Sequence, residues 1–157
     1  MARLPESNRR FRTKEVLCRD VASVLNSDLH YGTKCVVLDN AMSVWSEFEG
    51  KYGGCRFWSA EAARQSQSDK LIHDHAVPKK VLMELLFRVS RPTPECIQQY
   101  FEAYCFGAVI TKAEDDTLNR LGLRSKMPTN WDGKDPWARY NAANIILRNP
   151  SDVGGGE

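Results

Sequence analysis

Apolar positions along the chain recur mostly at three-to-four-residue spacing, interrupted by short polar and turn-forming stretches. Thr13 is placed to cap a first helix whose apolar stripe is Val16, Leu17, Val21, Val24 and Leu25, and which should end near "NSDLHYG". The segment "TKCVVLDNAMSVWSEFEGKYGG" opens on a β-branched run and then sets Leu38, Met42, Trp45 and Phe48 on one helical face. It reads either as a short strand leading into a helix or as one continuous helix, broken at Gly53 and Gly54.

Ser59 caps a helix over "AEAARQ", with Glu61 where the helix dipole favours negative charge, and the polar run "QSQSDK" loosens that helix before the histidine segment. Pro78 suits the first turn of a helix buried through Val81, Leu82, Leu85, Leu86 and Val89. Thr93 and Pro94 repeat the device for "ECIQQYFEAYCF", which Gly107 should close. "AVIT" is the most strand-like tetrapeptide. Thr111 and Glu114 then form a T-x-x-E capping box, and Gly122 ends that helix. After the loop "RSKMPTNWDGKDP", Asp135 and Pro136 start "WARYNAANIIL", with Trp137, Tyr140 and Ile145 as a docking face. The fold class expected is mainly α, or α+β with at most a small sheet, in a compact single-domain multi-helix bundle. Residues 1–12 form a basic arm, 13–148 the helical domain and 149–157 a frayed tail.

Composition narrows the function classes. A chain of 157 residues, 42% hydrophobic and 27% charged, is long enough for one sizeable core and too apolar for wholesale disorder. No apolar run reaches the ~20 residues of a bilayer span and no secretory leader opens the chain, so the expectation is a soluble, cytoplasmic protein with no membrane partner. Five cysteines without a C-x-x-C pair read as reduced, mostly buried thiols. The net charge of +2 does not announce a nucleic-acid binder, but Arg9, Arg10, Arg12 and Lys14 crowd the N-terminus. Such an arm either binds nucleic-acid phosphates through counterion release or is a solvated tail.

The chemistry concentrates in "KLIHDHAVPKK". If the segment is extended, His73 and His75 point to one side and Asp74 to the other; if it is a turn, all three converge. An imidazole is a general base near neutral pH, and an adjacent carboxylate suits a hard divalent cation such as Mg or Mn. Together they are the minimum for metal-assisted hydrolysis of a phosphodiester. The structural alternative makes Asp74 a helix cap, lets His75 and Pro78 shape the approach to the helix, and leaves Glu114 to its capping box.

"DHAVP", residues 74–78, resembles the first half of the HNH, or ββα-metal, nuclease motif. By that resemblance Asp74 holds the ion and His75 activates water; His73, outside the matched pentapeptide, is a further candidate ligand. The second half of the family pattern is not matched: no histidine occurs after His75, and a helix-like run begins directly after Pro78. Glu114, Asp115 or Asn119 could complete a metal site only if the "VIT" strand lies beside the histidine segment. Two functions are consistent with these residues. The first, and the leading expectation, is an HNH-like metal-dependent nuclease, or a degenerate relative retaining nucleic-acid binding. The other is a non-enzymatic helical module, such as an inhibitor, immunity or adaptor protein, working on a protein partner through an aromatic-rich surface. "DPWARY" reads either as a core-docking aromatic stripe or as an arginine and aromatics exposed to a nucleic acid or protein.

Overall fold

The structure, a computed structural model, describes residues 12–65 and 70–148. Arg9, Arg10 and the tail 149–157 lie outside the described residues. The element order is α1 (Lys14–Asn26), α2 (Tyr31–Ser46), β1 (Phe57–Ser59), α3 (Ala60–Arg64), β2 (Leu71–His75), α4 (Lys79–Leu86), α5 (Pro94–Tyr104), β3 (Gly107–Thr111), α6 (Lys112–Arg120), α7 (Ala138–Ala142) and β4 (Leu147–Arg148). Helix dominates and the sheet is small, an α+β arrangement.

Local chemistry accounts for the helix starts. Thr13, Ser59, Thr93 and Thr111 each accept a hydrogen bond from a backbone N–H of the first turn, satisfying a donor that has no intrahelical partner. The Thr111–Glu114 box closes in both directions. Gly122 takes φ +72° after α6, the left-handed conformation glycine adopts without strain. The β-branched Val36 and Val37 belong to one continuous helix, α2, because Leu38, Met42 and Trp45 bury a common stripe that outweighs the strand preference of two valines. Phe48 lies beyond that helix and is exposed. Gly107 does not close α5, which ends at Tyr104 with Cys105 as its cap; it opens β3.

The strand order is β2-β3-β1-β4. β3 is buried along its whole length and runs parallel to β1 and antiparallel to β2, with Leu71 opposite Thr111 and His75 opposite Gly107. The histidine segment is therefore an extended edge strand beside the "VIT" strand. β4 pairs antiparallel with β1 at the other edge.

Core residues fall into two main clusters rather than around a single bundle axis. One joins α1, α2, α4 and α5 through Leu17, Val21, Leu38, Leu82, Leu86 and Phe101. Each of these leucines is fully buried and contributes on the order of 2 kcal/mol of transfer free energy. The other joins the sheet to α6 and α7 through Ala108, Ile110, Leu118, Tyr140 and Ile145. β2 lies between the two: Ser46 of α2 meets one of its faces at His75, and α7, with α6 beside it, meets the other at Asp74.

Candidate functional site

Alternation along β2 sends consecutive side chains to opposite faces, and the contacts identify what each meets. Asp74 meets α7. Its Oδ2 accepts hydrogen bonds from the Arg139 guanidinium and, at 2.6 Å, from the Tyr140 hydroxyl. Arg139 is 1% exposed, and every arm of its guanidinium has a partner. Nε donates to the Ala76 carbonyl at 3.1 Å, Nη1 to the Leu123 and Arg124 carbonyls at 2.6 and 3.2 Å, and Nη2 to the His75 carbonyl at 2.6 Å as well as to Asp74. Burial pushes the Asp74 carboxyl up, while the charge of Arg139 and the two hydrogen bonds act against it. The phenol of Tyr140 is raised well above its ordinary value by burial and by the neighbouring carboxylate.

His73 and His75 share the other face, their rings 5.8 Å apart and perpendicular. His75 Nε2 lies 2.9 Å from the Ser46 hydroxyl on α2. Burial, and after it the neighbouring His73 and the Lys79 ammonium, holds the His75 imidazole down to about 3. Lys79 itself is held by Asp39 at 2.7 Å and by Ser43 Oγ at 3.0 Å. The His73 side chain is 1% exposed, with Nδ1 4.0 Å from Glu47 Oε1, and burial lowers its pKa. Its Nε2 is packed against Gly107, where an added Cβ would come within 2.2 Å of that nitrogen. That close approach gives a physical reason for glycine at the start of β3.

The expected ligand set is thus divided. Asp74 lies on one face and His73 with His75 on the other. The condition that brings "VIT" beside the histidines is met, yet Glu114 is engaged elsewhere: its Oε2 accepts from the Thr111 N–H and hydroxyl and from the Ser59 hydroxyl at 2.7 Å. Asn119 donates to Asp115 Oδ2 at 3.4 Å, and its own Oδ1 is buried without a hydrogen-bond partner. Asp115 is near enough to raise the Asp74 carboxyl. A divalent ion at Asp74 would stand beside the buried Arg139 guanidinium, a like-charge repulsion that a low-dielectric setting strengthens. Among the described residues no three His, Cys, Asp or Glu side chains gather as a metal ion requires. All five cysteines are free, with Cys18, Cys55 and Cys105 buried. From the N-terminal set, Arg12 donates to Asn40 Oδ1 at 2.6 Å, and the Lys14 ammonium stands 5.0 Å from the Trp45 ring.

Reading the sequence alone missed Arg139, Tyr140 and Ser46 as partners of the histidine segment. The available signal was an arginine set between two aromatics in "WARY": a charge on a stripe about to be buried requires a countercharge.

The α7 that Asp74 anchors also forms one wall of a groove of about 640 Å³. Its floor and sides include Phe57, Trp137, Tyr140, Ile145 and Leu147. Trp137 packs edge-on to Phe57 at 4.8 Å, with Phe106 at 5.0 Å. The exposed Ile146 stands at the rim, and Asn144, at φ 56°, turns the chain from α7 into β4. No helix among the described residues is long and apolar enough to cross a membrane. No protein-family model, curated protein or solved structure matches the chain.

Proposed function

We propose that the chain is a non-enzymatic interaction module that engages a protein partner on the aromatic groove beside β4, with the histidine strand as part of the scaffold that holds the groove. The observation that carries this reading is the Asp74–Arg139–Tyr140 cluster. The carboxylate that the nuclease motif would give to an ion instead fixes Tyr140, a wall of the groove, to β2. An imidazole held down to about 3 is also a weak proton acceptor at neutral pH, whereas a general base works best with a pKa near the operating pH.

The test is cleavage of DNA and RNA with magnesium or manganese, with and without chelator, alongside thermal melts of wild type, Asp74→Asn and His75→Gln. The module reading expects no ion-dependent cleavage, no ion-dependent rise in melting temperature, and variants whose defect is in stability. Ion-dependent cleavage abolished by His75→Gln would instead favour the HNH-like nuclease, with nucleic acid as substrate and magnesium or manganese as its cofactor.

A further inference from the structure

We infer that the outer edge of β4, unpaired among the described residues, and the adjoining groove take an extended, acidic peptide segment of a partner protein, which adds to the sheet as a fifth strand. This rests on the interaction-module reading and names the partner's chemistry. In an antiparallel ladder, residues alternate between those that bond across to the neighbouring strand and those whose N–H and C=O point away. The Ala60 N–H donates to the Ile146 carbonyl at 2.8 Å, Ser59 stands opposite Leu147, and Trp58 stands opposite Arg148. By that alternation Ile146 and Arg148 bond toward β1, and the Leu147 N–H and C=O face outward. β4 is the end of the strand order, so this donor and acceptor are the template that strand addition uses.

Side-chain chemistry selects the occupant. Beside that edge the groove offers the half-buried Phe57 and Trp137 to an apolar side chain, and alternate residues of an added strand would point into it. Arg148 is the charged residue among the lining residues, and the Arg56 guanidinium stands 5.1 Å from the Phe57 ring. No carboxylate lines the groove among the described residues, so a segment alternating apolar and acidic residues has complementary charge. Residues 149–157 fit less well as sequence: "NPSDVGGGE" brings Val153 as its one large aliphatic side chain and three glycines, which disfavour a strand.

The experiment titrates the full chain with a capped hexapeptide alternating leucine and glutamate, monitored by backbone amide shifts in NMR. Two control peptides are used: one with lysine for glutamate, and one N-methylated at alternate residues so that its edge-facing N–H groups are removed. The proposal expects the shifts to centre on Leu147 and Arg148, the lysine and N-methylated peptides to bind about tenfold more weakly or worse, and Arg148→Glu to reverse the glutamate-over-lysine preference. It is overturned if the glutamate peptide does not bind, if N-methylation leaves affinity unchanged, or if the shifts map elsewhere. It is also overturned if Asp152→Lys with Glu157→Lys alone reproduces the shifts, which would put the chain's own tail on the edge, or if the protein self-associates through β4 and Ile146→Lys separates it. Any of these results alongside negative cleavage assays would overturn strand addition at β4 and leave only the non-enzymatic part of the proposed function standing.

Discussion

The two faces of β2 handle ionisable groups in opposite ways. On the α7 face, Asp74 is paired with a guanidinium and a phenol; on the α2 face, His75 is kept neutral against a serine hydroxyl. Both arrangements avoid an unpaired charge in a buried position, which is the most destabilising option. They differ in how damage spreads. The Arg139 cluster ties together β2, the loop at Leu123 and Arg124, and α7, whereas the His75–Ser46 contact joins one strand to one helix.

The largest expected effect comes from removing the hub of the paired face. Arg139→Met should lower stability by about 3 to 5 kcal/mol, because it leaves Asp74 without its countercharge, with the Tyr140 hydroxyl alone, and four carbonyls without their donor, while keeping most of the apolar volume. Denaturant melts would measure it. Arg139→Met combined with Asp74→Asn should recover part of the loss, since the orphaned charge is then gone. No recovery would mean that the carbonyl bonds, not the ion pair, carry the cluster.

Those partners mark what was legible in the sequence. Caps at Thr13, Ser59, Thr93 and Thr111 could be read because a cap acts within three residues of itself. The extended and turned readings of "HDH" stayed open, because only pairing with β3, some thirty-six residues away, selects one. Asp74 and Arg139 are 65 positions apart, and nothing local marks them as a pair. β1 and β4 were invisible for a different reason: three and two residues are too short for an alternation to register, and the sheet rather than propensity makes them strands.

The second effect is set by pH and has opposite signs on the two faces. His75 should titrate near ~6.5 in the unfolded chain and is held down to about 3 when folded. Between those values the unfolded chain binds a proton that the folded protein refuses, so the contribution is complete above ~6.5 and falls as pH drops toward 3. The raised Asp74 carboxyl works the other way, its contribution appearing in acid and fading as pH rises through its folded pKa. The histidine's own share between pH ~6.5 and ~5 is a loss of about 2 kcal/mol, at up to ~1.4 kcal/mol per pH unit. His75→Gln should reduce that slope in denaturant melts repeated at each pH, leaving the share of His73, whose pKa burial also lowers. A slope unchanged by the substitution would assign it to other groups.

The smallest effect separates the two causes of neutrality on the histidine face. Ser46→Ala removes the hydroxyl 2.9 Å from His75 Nε2 and leaves a ring nitrogen short of a partner, a cost of about 1 to 2 kcal/mol at pH 7. The pH slope should persist, because burial is the first cause of the lowered pKa and the substitution leaves the surrounding helix and strand in place. The ring would simply be less well satisfied. If the slope instead disappears with the hydroxyl, water has entered beside His75 and solvated its charged form, and the dry packing of α2 on β2 depends on the hydrogen bond itself. Nitrogen shifts of the imidazole across the same titration would distinguish these outcomes directly: a neutral ring down to acid pH in Ser46→Ala keeps burial as the cause, and a ring protonating near ~6.5 transfers that role to the serine.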